Sequence, residues 1–331
     1  MACPIDARVS YRRVGHARLG TTKVGHLRIK PPALRKGDTI GVVSPAAAVE
    51  RENLERGVGM LVRLGFHVKV SEHALDRCGI LAGSDQTRAS EIHRFFDDDN
   101  VRAIFAARGG YGSGRTLPFI DFERLARTPK IFVGFSDLTF VLNAIVELAN
   151  LATFHGPVVA MDLAHGVSAA ALEQLQRLLA GDTFELSAPE VIRAGVAEGE
   201  VVGGCLSVVV AMLGTRYAPS FAGKILFIED TGEKAYRIDR MLVHLKQSGA
   251  LNEVAGIAFG SILPVEGSAQ ERAAIAHFIK EQTCGLRCPV LAGFEAGHGS
   301  AHFTIPLGVR ARLDSRRGKL SLLEAAVSAS T

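Results

Sequence analysis

The sequence is poor in charged residues and cysteine for its length. Only 22% of the 331 residues are charged and the net charge is +4, so nucleic acid is not expected as the main partner. The five cysteines are odd in number and spread along the chain, which argues against a disulfide framework and fits a reducing compartment. No apolar run reaches the ~18 residues of a membrane span, and no apolar core follows the basic N-terminus. We therefore expect a cytoplasmic protein without a membrane span or a secretion signal.

Apolar residues make up 47% of the chain, enough to build the core of a globular protein with about two domains. The N-terminal part differs from the rest, because nine lysines and arginines but no acidic residue lie between Asp6 and Asp38. We predict a basic N-terminal arm over residues 1–36, either a leader segment or an electrostatic docking segment.

Beyond the arm, short apolar runs alternate with helical periods, which is typical of βαβ units around a mostly parallel sheet. Four strands with helices between them predict a parallel-sheet α/β domain over residues 37–165, followed by a connection over residues 166–199. Residues 200–325 combine helices with four short strands near their end, which predicts a smaller β-rich, barrel-like C-terminal domain.

The segment from Lys130 to Thr139 predicts a buried strand that turns sharply into a helix at Ser136. In such a turn a serine hydroxyl projects into solvent, and the backbone N–H of the next residue, Asp137, points to where an oxyanion forms. The match to the hydrolase pattern is partial, since Leu138 stands where that pattern has its second glycine. Ser136 is therefore either a nucleophile or an ordinary helix N-cap.

A glycine-rich turn, Arg108-Gly-Gly-Tyr-Gly-Ser-Gly-Arg115, follows another predicted strand. Its glycines let backbone N–H groups face a ligand. The spacing fits neither G-x-G-x-x-G nor G-x-x-x-x-G-K-[ST], the common nucleotide-binding patterns. A nucleotide cradle, an oxyanion-hole or substrate loop, and a plain turn all stay open.

Two further segments carry groups suited to acid and base chemistry. A predicted strand beginning at Lys224 ends in Glu229 and Asp230, where a carboxylate either orients a histidine or is a solvated loop acid. His298 lies among glycines, and imidazole suits general base and acid work near neutral pH. His302 follows, but the glycines disfavour the helix that would aim both imidazoles at one ion, so no metal site is predicted.

Taken in the order Ser136, Glu229 and His298, these segments resemble the LD-carboxypeptidase family of serine peptidases, which includes muramoyl-tetrapeptide carboxypeptidases and microcin C immunity proteins. The resemblance runs from about Pro32 to about Leu323 and depends on several motifs in order. These are Lys36-Gly-Asp-Thr-Ile-Gly-Val-Val-Ser-Pro45, Ala107-Arg-Gly-Gly-Tyr-Gly112, Val133-Gly-Phe-Ser-Asp137, Phe154-His-Gly-Pro157, Gly203-Gly-Cys-Leu-Ser207, Leu226-Phe-Ile-Glu-Asp230, Tyr236 with Asp239-Arg240, and Gly297-His298 with Pro306-Leu-Gly308.

The resemblance implies that Ser136 is the nucleophile, that His298 takes its proton, and that Glu229 orients His298. It also implies an oxyanion hole made by the backbone N–H groups of Gly110 and Asp137. These two amides belong to the glycine-rich turn and to the residue after the candidate nucleophile, where physical reasoning also places oxyanion donors.

The implied reaction is hydrolysis of the amide between an L-configured centre and the terminal D-alanine of murein tetrapeptide, in cytoplasmic cell-wall recycling. The resemblance implies a homodimer that uses neither cofactor nor metal. Because the substrate ends in a free carboxylate, a fixed cation is expected beside the serine, and Arg108 or Arg115 is the candidate. Asp230 remains a competing acid, because a shift of one residue along a strand exchanges its two faces.

Two other functions are considered. A microcin C immunity-type hydrolase of peptidyl nucleotides is disfavoured, since those relatives stack the base on a tryptophan and this chain has none. A Rossmann-like protein that holds a nucleotide in the glycine-rich turn without chemistry is the second. The chain departs from the family pattern at Cys205, where relatives usually have Asn, and at His302, where Asn or Gln is more usual.

Overall fold

The structure, a computed structural model, describes residues 27–329. Most of the predicted basic arm therefore lies outside the described residues. Its described end, residues 27–36, belongs to the folded part instead of forming an arm: the guanidinium of Arg28 lies 2.7 Å from the carboxylate of Glu200, and the ammonium of Lys30 lies 2.8 Å from that of Glu324. Within the described range no helix combines the length and apolar character that a bilayer crossing requires.

Most strands have three to six residues, three strands have nine or ten, and most helices span three or four turns. The strands are β1 (Thr39–Val43), β2 (His67–Val70), β3 (Val101–Ala106), β4 (Ile131–Gly134), β5 (Thr153–His155), β6 (Glu185–Ser187), β7 (Glu190–Arg193), β8 (Val196–Cys205), β9 (Ile225–Glu233), β10 (Gly256–Pro264), β11 (Val290–Ala292), β12 (Ile305–Leu307), β13 (Arg310–Asp314) and β14 (Lys319–Leu322). The helices are α1 (Arg51–Arg63), α2 (Asp85–Asp97), α3 (Phe122–Arg127), α4 (Thr139–Leu148), α5 (Ala169–Ala180), α6 (Leu206–Met212), α7 (Ala235–Gln247), α8 (Ala250–Glu253) and α9 (Ala269–Thr283), with short 3-10 segments at Ser113–Phe119 and Ser136–Leu138 and a π-helical turn at Val159–Leu163.

The first sheet has the strand order β12-β5-β4-β3-β1-β2. Strands β1 to β5 run parallel, as the alternation of strands and helices predicts. Every residue of β4 is buried, which is the pattern of a parallel strand covered on both faces. Helix α2 begins at Asp85, and the hydroxyl of Ser84 caps it by accepting a hydrogen bond from the backbone N–H of Thr87.

The second sheet has the order β6-β14-β13-β8-β9-β10-β11-β7. Its central strands β8 to β11 are parallel, and antiparallel strands flank them on both sides. The α/β fold class is confirmed. The barrel-like form of the C-terminal part is not: among the described residues the end strands β6 and β7 do not pair with each other, so the strands make a row.

The chain crosses between the two sheets more often than the predicted domain ranges imply. Strands β6 and β7 lie inside the range predicted as a connection, yet they pair with β14 and β11 of the second sheet. Conversely, β12 lies inside the range predicted for the C-terminal domain but pairs antiparallel with β5 of the first sheet. Strands of three or four residues carry too little periodicity to reveal their partners in sequence.

Buried polar contacts fix the helix α4 against the end of β8. The side-chain amide of Asn143 donates to the carbonyl of Gly203 over 2.8 Å, and its oxygen accepts the N–H of the same residue over 3.1 Å. The hydroxyl of Thr139 accepts the N–H of Cys205 over 3.1 Å. Since β8 pairs with β9 in the register Cys205 to Glu229, these contacts place the carboxylate strand relative to the helix that follows Ser136.

Candidate active site

Ser136 lies at a strained turn between strand β4 and helix α4. Its φ is 63°, in the left-handed region that a residue with a side chain adopts at a cost of about 1–2 kcal/mol. The side chain is half-buried. Such strain persists where the surrounding structure enforces it, and it is common at functional sites. The predicted strand-to-helix turn is confirmed, with a single 3-10 turn before the α-helix.

The aromatic ring of Phe135 connects this turn with the histidines of the second half of the chain. Its centroid lies 4.2 Å from the ring centroid of His298 and 4.2 Å from that of His302. The imidazole of His298 therefore packs against the residue that directly precedes the candidate nucleophile Ser136, although 162 positions separate His298 from Ser136 in sequence.

Glu229 is fully buried on β9 and holds His298 with a single carboxylate oxygen. Its Oε2 accepts the backbone N–H of His298 over 3.0 Å and lies 2.7 Å from His298 Nδ1. The preceding residue, Gly297, has a φ of 98°, and a Cβ there would overlap the Glu229 carboxylate. Only glycine therefore lets the loop approach the acid this closely.

The carboxylate and the imidazole stabilise each other's charge. Burial by itself raises the pKa of Glu229, but contacts with His155 and His298 outweigh it and lower this pKa to about 2. Burial by itself lowers the pKa of His298, but the hydrogen bond and charge of Glu229 outweigh it and hold this pKa above its ordinary value of 6.5. The pair therefore keeps an ionised acid beside a base of increased proton affinity.

Asp230, the competing acid, points to a different partner. Its Oδ2 accepts the backbone N–H of Ser207 over 2.7 Å at the start of helix α6, and its Oδ1 accepts the N–H of Thr231. Burial raises the pKa of Asp230, and the Ser207 amide opposes that rise. The geometry thus gives Asp230 a capping contact and gives the histidine contact to Glu229.

The glycine-rich turn lies directly against Ser136. A Cβ placed on Gly109 would lie 3.0 Å from the Cβ of Ser136 and 3.4 Å from the backbone nitrogen of Asp137. The next residue, Gly110, is exposed and has a φ of 91°, which favours glycine. The turn is also hydrogen-bonded to the nucleophile segment, because the carboxylate of Asp137 accepts the N–H of Ser113 over 2.7 Å.

A buried arginine that the sequence analysis did not single out supports this turn. Arg88 is 2% exposed, and its guanidinium donates to the carbonyl of Gly112 over 2.8 Å and to that of Pro45 over 2.7 Å. Asp85 pairs with the same guanidinium. Arg88 belongs to helix α2, which has a polar outer face. From its position in the sequence alone, Arg88 is therefore expected to be an ordinary exposed side chain.

The two arginines proposed for the substrate carboxylate differ in their surroundings. Arg115 is exposed and its guanidinium lies 3.0 Å from the carboxylate of Asp85. Arg108 is half-buried at the start of the glycine-rich turn and donates to the carbonyl of Ala48 over 3.2 Å. No acidic partner of Arg108 occurs among residues 27–329, so its charge is the less neutralised of the two.

Two further ionisable side chains near the site, His302 and Cys205, contact polar groups outside the proposed triad. Nδ1 of His302 lies 3.4 Å from the carboxylate of Asp162. The thiol of Cys205 lies 3.3 Å from the hydroxyl of Ser207, and burial together with the charges of Glu229 and Asp230 raises the pKa of this thiol. A protonated thiol is a poor nucleophile. Within the described part of the chain no cluster of three metal-ligating side chains occurs.

His155 is the site residue whose role the sequence did not indicate. It belongs to the Phe154-His-Gly-Pro157 motif, but nothing in its surroundings along the chain points to chemistry. In the structure it is fully buried at the end of β5, and its Nε2 lies 3.5 Å from Glu229 Oε1. Only the pairing of the two halves of the chain brings this histidine to the acid.

Two family models and several known proteins match most of this chain. Residues 40–156 match the LD-carboxypeptidase N-terminal domain and residues 198–313 match the LD-carboxypeptidase C-terminal domain. The probable murein peptide carboxypeptidase of Bacillus subtilis is 38% identical over 310 residues, which are 91% of this chain and 96% of that protein.

Solved structures show the same fold. The muramoyltetrapeptide carboxypeptidase from Oxalobacter formigenes superposes with a TM-score of 0.78 at 28% identity, covering 88% of this chain and 100% of that one. The microcin C7 self-immunity protein MccF, known from Escherichia coli, superposes with a TM-score of 0.82 at 25% identity, covering 91% of this chain and 100% of that one. The resemblance drawn from the sequence motifs is confirmed: the chain belongs to the LD-carboxypeptidase family.

Proposed function

We propose that the protein is a serine-type LD-carboxypeptidase that releases the terminal D-alanine of murein tetrapeptide through a triad of Ser136, His298 and Glu229. The observation that supports this proposal is the position of the His298 imidazole between Glu229 and Phe135. Its Nδ1 is held by the buried Glu229 carboxylate, while its ring packs on the residue before Ser136. Because Nδ1 is hydrogen-bonded to Glu229, Nε2 is the nitrogen that can take the serine proton. The two imidazole nitrogens have the same roles in serine hydrolases.

The proposed reaction has two halves. The Ser136 hydroxyl adds to the carbonyl carbon of the scissile amide while its proton passes to His298 Nε2, and the resulting oxyanion is bound by the backbone N–H groups of Gly110 and Asp137. The intermediate then expels D-alanine, whose amine takes the proton from His298. Water cleaves the ester on Ser136 in the same way, with His298 again as base and Glu229 ionised throughout.

The substrate class follows from the relatives and from the charge beside the turn. Relatives that cover 91% and 88% of this chain carry the names probable murein peptide carboxypeptidase and muramoyltetrapeptide carboxypeptidase. A peptide of this kind ends in a carboxylate, and the guanidinium of Arg108 offers a bidentate partner for it. We further propose, on the family resemblance, that the enzyme acts in the cytoplasm and as a homodimer.

The test of this function is direct. Incubated with UDP-MurNAc tetrapeptide, the purified protein is expected to remove one alanine, which mass spectrometry detects as the loss of one residue. The matched pentapeptide, which ends in a D-alanyl-D-alanine bond, is expected to stay intact. Cleavage of a peptidyl nucleotide but not of the tetrapeptide would assign the immunity-type activity instead. Binding of NAD or ATP without any hydrolysis would assign the nucleotide-binding function.

The raised pKa of His298 fixes the direction of the pH dependence. The base must be neutral to take the serine proton, and a pKa above 6.5 means that it protonates at a higher pH than an ordinary imidazole. We expect kcat/KM for tetrapeptide to fall about tenfold per pH unit below an inflection that lies above 6.5. Rate measurements from pH 5 to pH 9 test this, and an inflection clearly below 6.5 would contradict the coupling with Glu229.

Replacing the arginines one at a time tests the carboxylate contact. Arg108→Ala is expected to raise KM for tetrapeptide about 10- to 100-fold, the loss typical of one charge-assisted hydrogen-bond pair, with a smaller change in kcat. Arg115→Ala is the matched control, because that guanidinium is exposed and already paired with Asp85. Steady-state kinetics that show the larger KM effect for Arg115→Ala would reverse the assignment.

A further inference from the structure

Glu229 has two carboxylate oxygens, and His298 uses only one of them. Oε2 takes both the backbone N–H and Nδ1 of His298. Oε1 is equally buried, and the polar side-chain atom that faces it is Nε2 of His155, 3.5 Å away. This is long for a hydrogen bond, but neither of these two buried atoms bonds to any other group among residues 27–329, so each is the polar partner available to the other.

The ring of His155 is held in one orientation. Phe135 and Phe227 meet it edge-on, each with its centroid 5.4 Å from the imidazole centroid. A Cβ on Gly204 would lie 3.1 Å from His155 Cδ2, so the ring also touches the backbone of β8. The ring is therefore enclosed by both sheets, with Nε2 directed at Glu229.

The protonation state of His155 follows from the same surroundings. The charged and titratable groups that face it are Glu229, His298 and His302, and burial lowers the pKa of His155 more strongly than Glu229 raises it. The lowered pKa favours the neutral imidazole, which has one N–H. Neither ring nitrogen makes a hydrogen bond of ordinary geometry within residues 27–329, but Nε2 faces an acceptor, Glu229 Oε1, at 3.5 Å, so the proton is best placed on Nε2.

We propose that His155 is a positioning residue for the triad acid, with its Nε2–H donating to Glu229 Oε1. Strand β5, which ends at His155, pairs with β4 in the register Gly134 to His155, two residues before Ser136. The contact thus ties the carboxylate on the second sheet to the strand beside the nucleophile on the first. The hydrogen bond and the tautomer of His155 do not depend on the proposed function. The expected effect of His155 on turnover rests on it.

Nitrogen-15 NMR of the imidazoles in Ser136→Ala protein tests the contact without any activity. We expect one fully buried histidine whose Nε2 is protonated and whose Nδ1 is not at pH 8, and this signal is assigned by its absence in His155→Phe. A protonated Nδ1 would overturn the proposal. The folded state of each variant is checked by its thermal unfolding.

Kinetics test the positioning role. His155→Phe keeps an aromatic ring but has no donor, and it is expected to lower kcat about 10- to 100-fold, as small displacements of catalytic groups do. Without the donor, the Glu229–His298 pair binds a proton more tightly, so the acid inflection of kcat/KM moves to higher pH. His155→Gln, which keeps an N–H donor, is expected to restore most of the rate and the original inflection.

The outcomes separate the two proposals. If His155→Phe and His155→Gln lose kcat equally and the acid inflection of kcat/KM does not move, His155 only fills space. If both variants keep the wild-type rate, His155 does not act on Glu229. If the wild-type protein releases no D-alanine, the proposed function fails, and the NMR measurement still decides the tautomer and the contact of His155.

Discussion

Ser136→Ala is expected to reduce D-alanine release from tetrapeptide by at least about 10⁴-fold, because the variant loses the atom that forms the acyl-enzyme ester. Alanine keeps the Cβ, so the backbone at φ 63° carries the same strain and the variant is expected to fold like the wild type. The measurement is kcat/KM for alanine release, together with the thermal unfolding midpoint. A substrate analogue should still bind, since the oxyanion donors are backbone amides.

The control for this variant is Ser90→Ala. Ser90 is exposed on helix α2 and its hydroxyl donates to the carbonyl of Thr87 over 2.8 Å, far along the chain from the proposed triad. We expect it to keep the wild-type rate. Alanine release by Ser136→Ala at the wild-type rate would remove the serine mechanism, whatever the identity of the substrate.

Glu229→Gln is expected to lower kcat about 10³- to 10⁴-fold, the effect of replacing the acid of a serine-protease triad by its amide. The amide lacks the negative charge that stabilises the His298 imidazolium, and its NH₂ group cannot accept the Nδ1 proton. The acid inflection of the pH profile is expected to move to lower pH, because the charge that raises the pKa of His298 is removed.

Asp230→Asn is the matched comparison, since the two acids are neighbours on one strand and both are buried. Its carboxylate caps helix α6 instead of contacting His298. We expect turnover within about tenfold of the wild type and a stability loss of about 1 kcal/mol, typical of a weakened helix cap. Urea unfolding and kcat measured on both variants decide the assignment, and a larger loss of kcat in Asp230→Asn would make Asp230 the triad acid.

Local features of the site could be predicted from the sequence, and long-range ones could not. The turn at Ser136 is encoded by residues that adjoin it, namely an apolar strand, a small polar residue and a helix. The resemblance to the family favours Glu229 over Asp230, but alternation along a strand only assigns them to opposite faces and does not say which face meets the histidine. The structure decides the contact through the position of His298.

The roles of Arg88 and His155 were missed for the same reason. Arg88 is buried by a loop that lies 24 residues later in the chain, and His155 meets its carboxylate across two sheets. The sequence around Arg88 and around His155 shows no periodicity and no motif spacing that would predict these contacts. A motif such as Phe154-His-Gly-Pro157 marks the segment, while the reason for its histidine becomes visible only when β5 and β9 are seen together.

The return of β12 to the first sheet constrains how far the two sheets can separate. The loop that bears His298 is anchored at one end by β11 in the second sheet and at the other by β12 in the first. Any wide separation of the two halves would have to stretch this loop or peel an edge strand away. This double anchorage therefore opposes large movements of the His298 loop, and a chain truncated after residue 156 would leave β5 as a bare, aggregation-prone sheet edge.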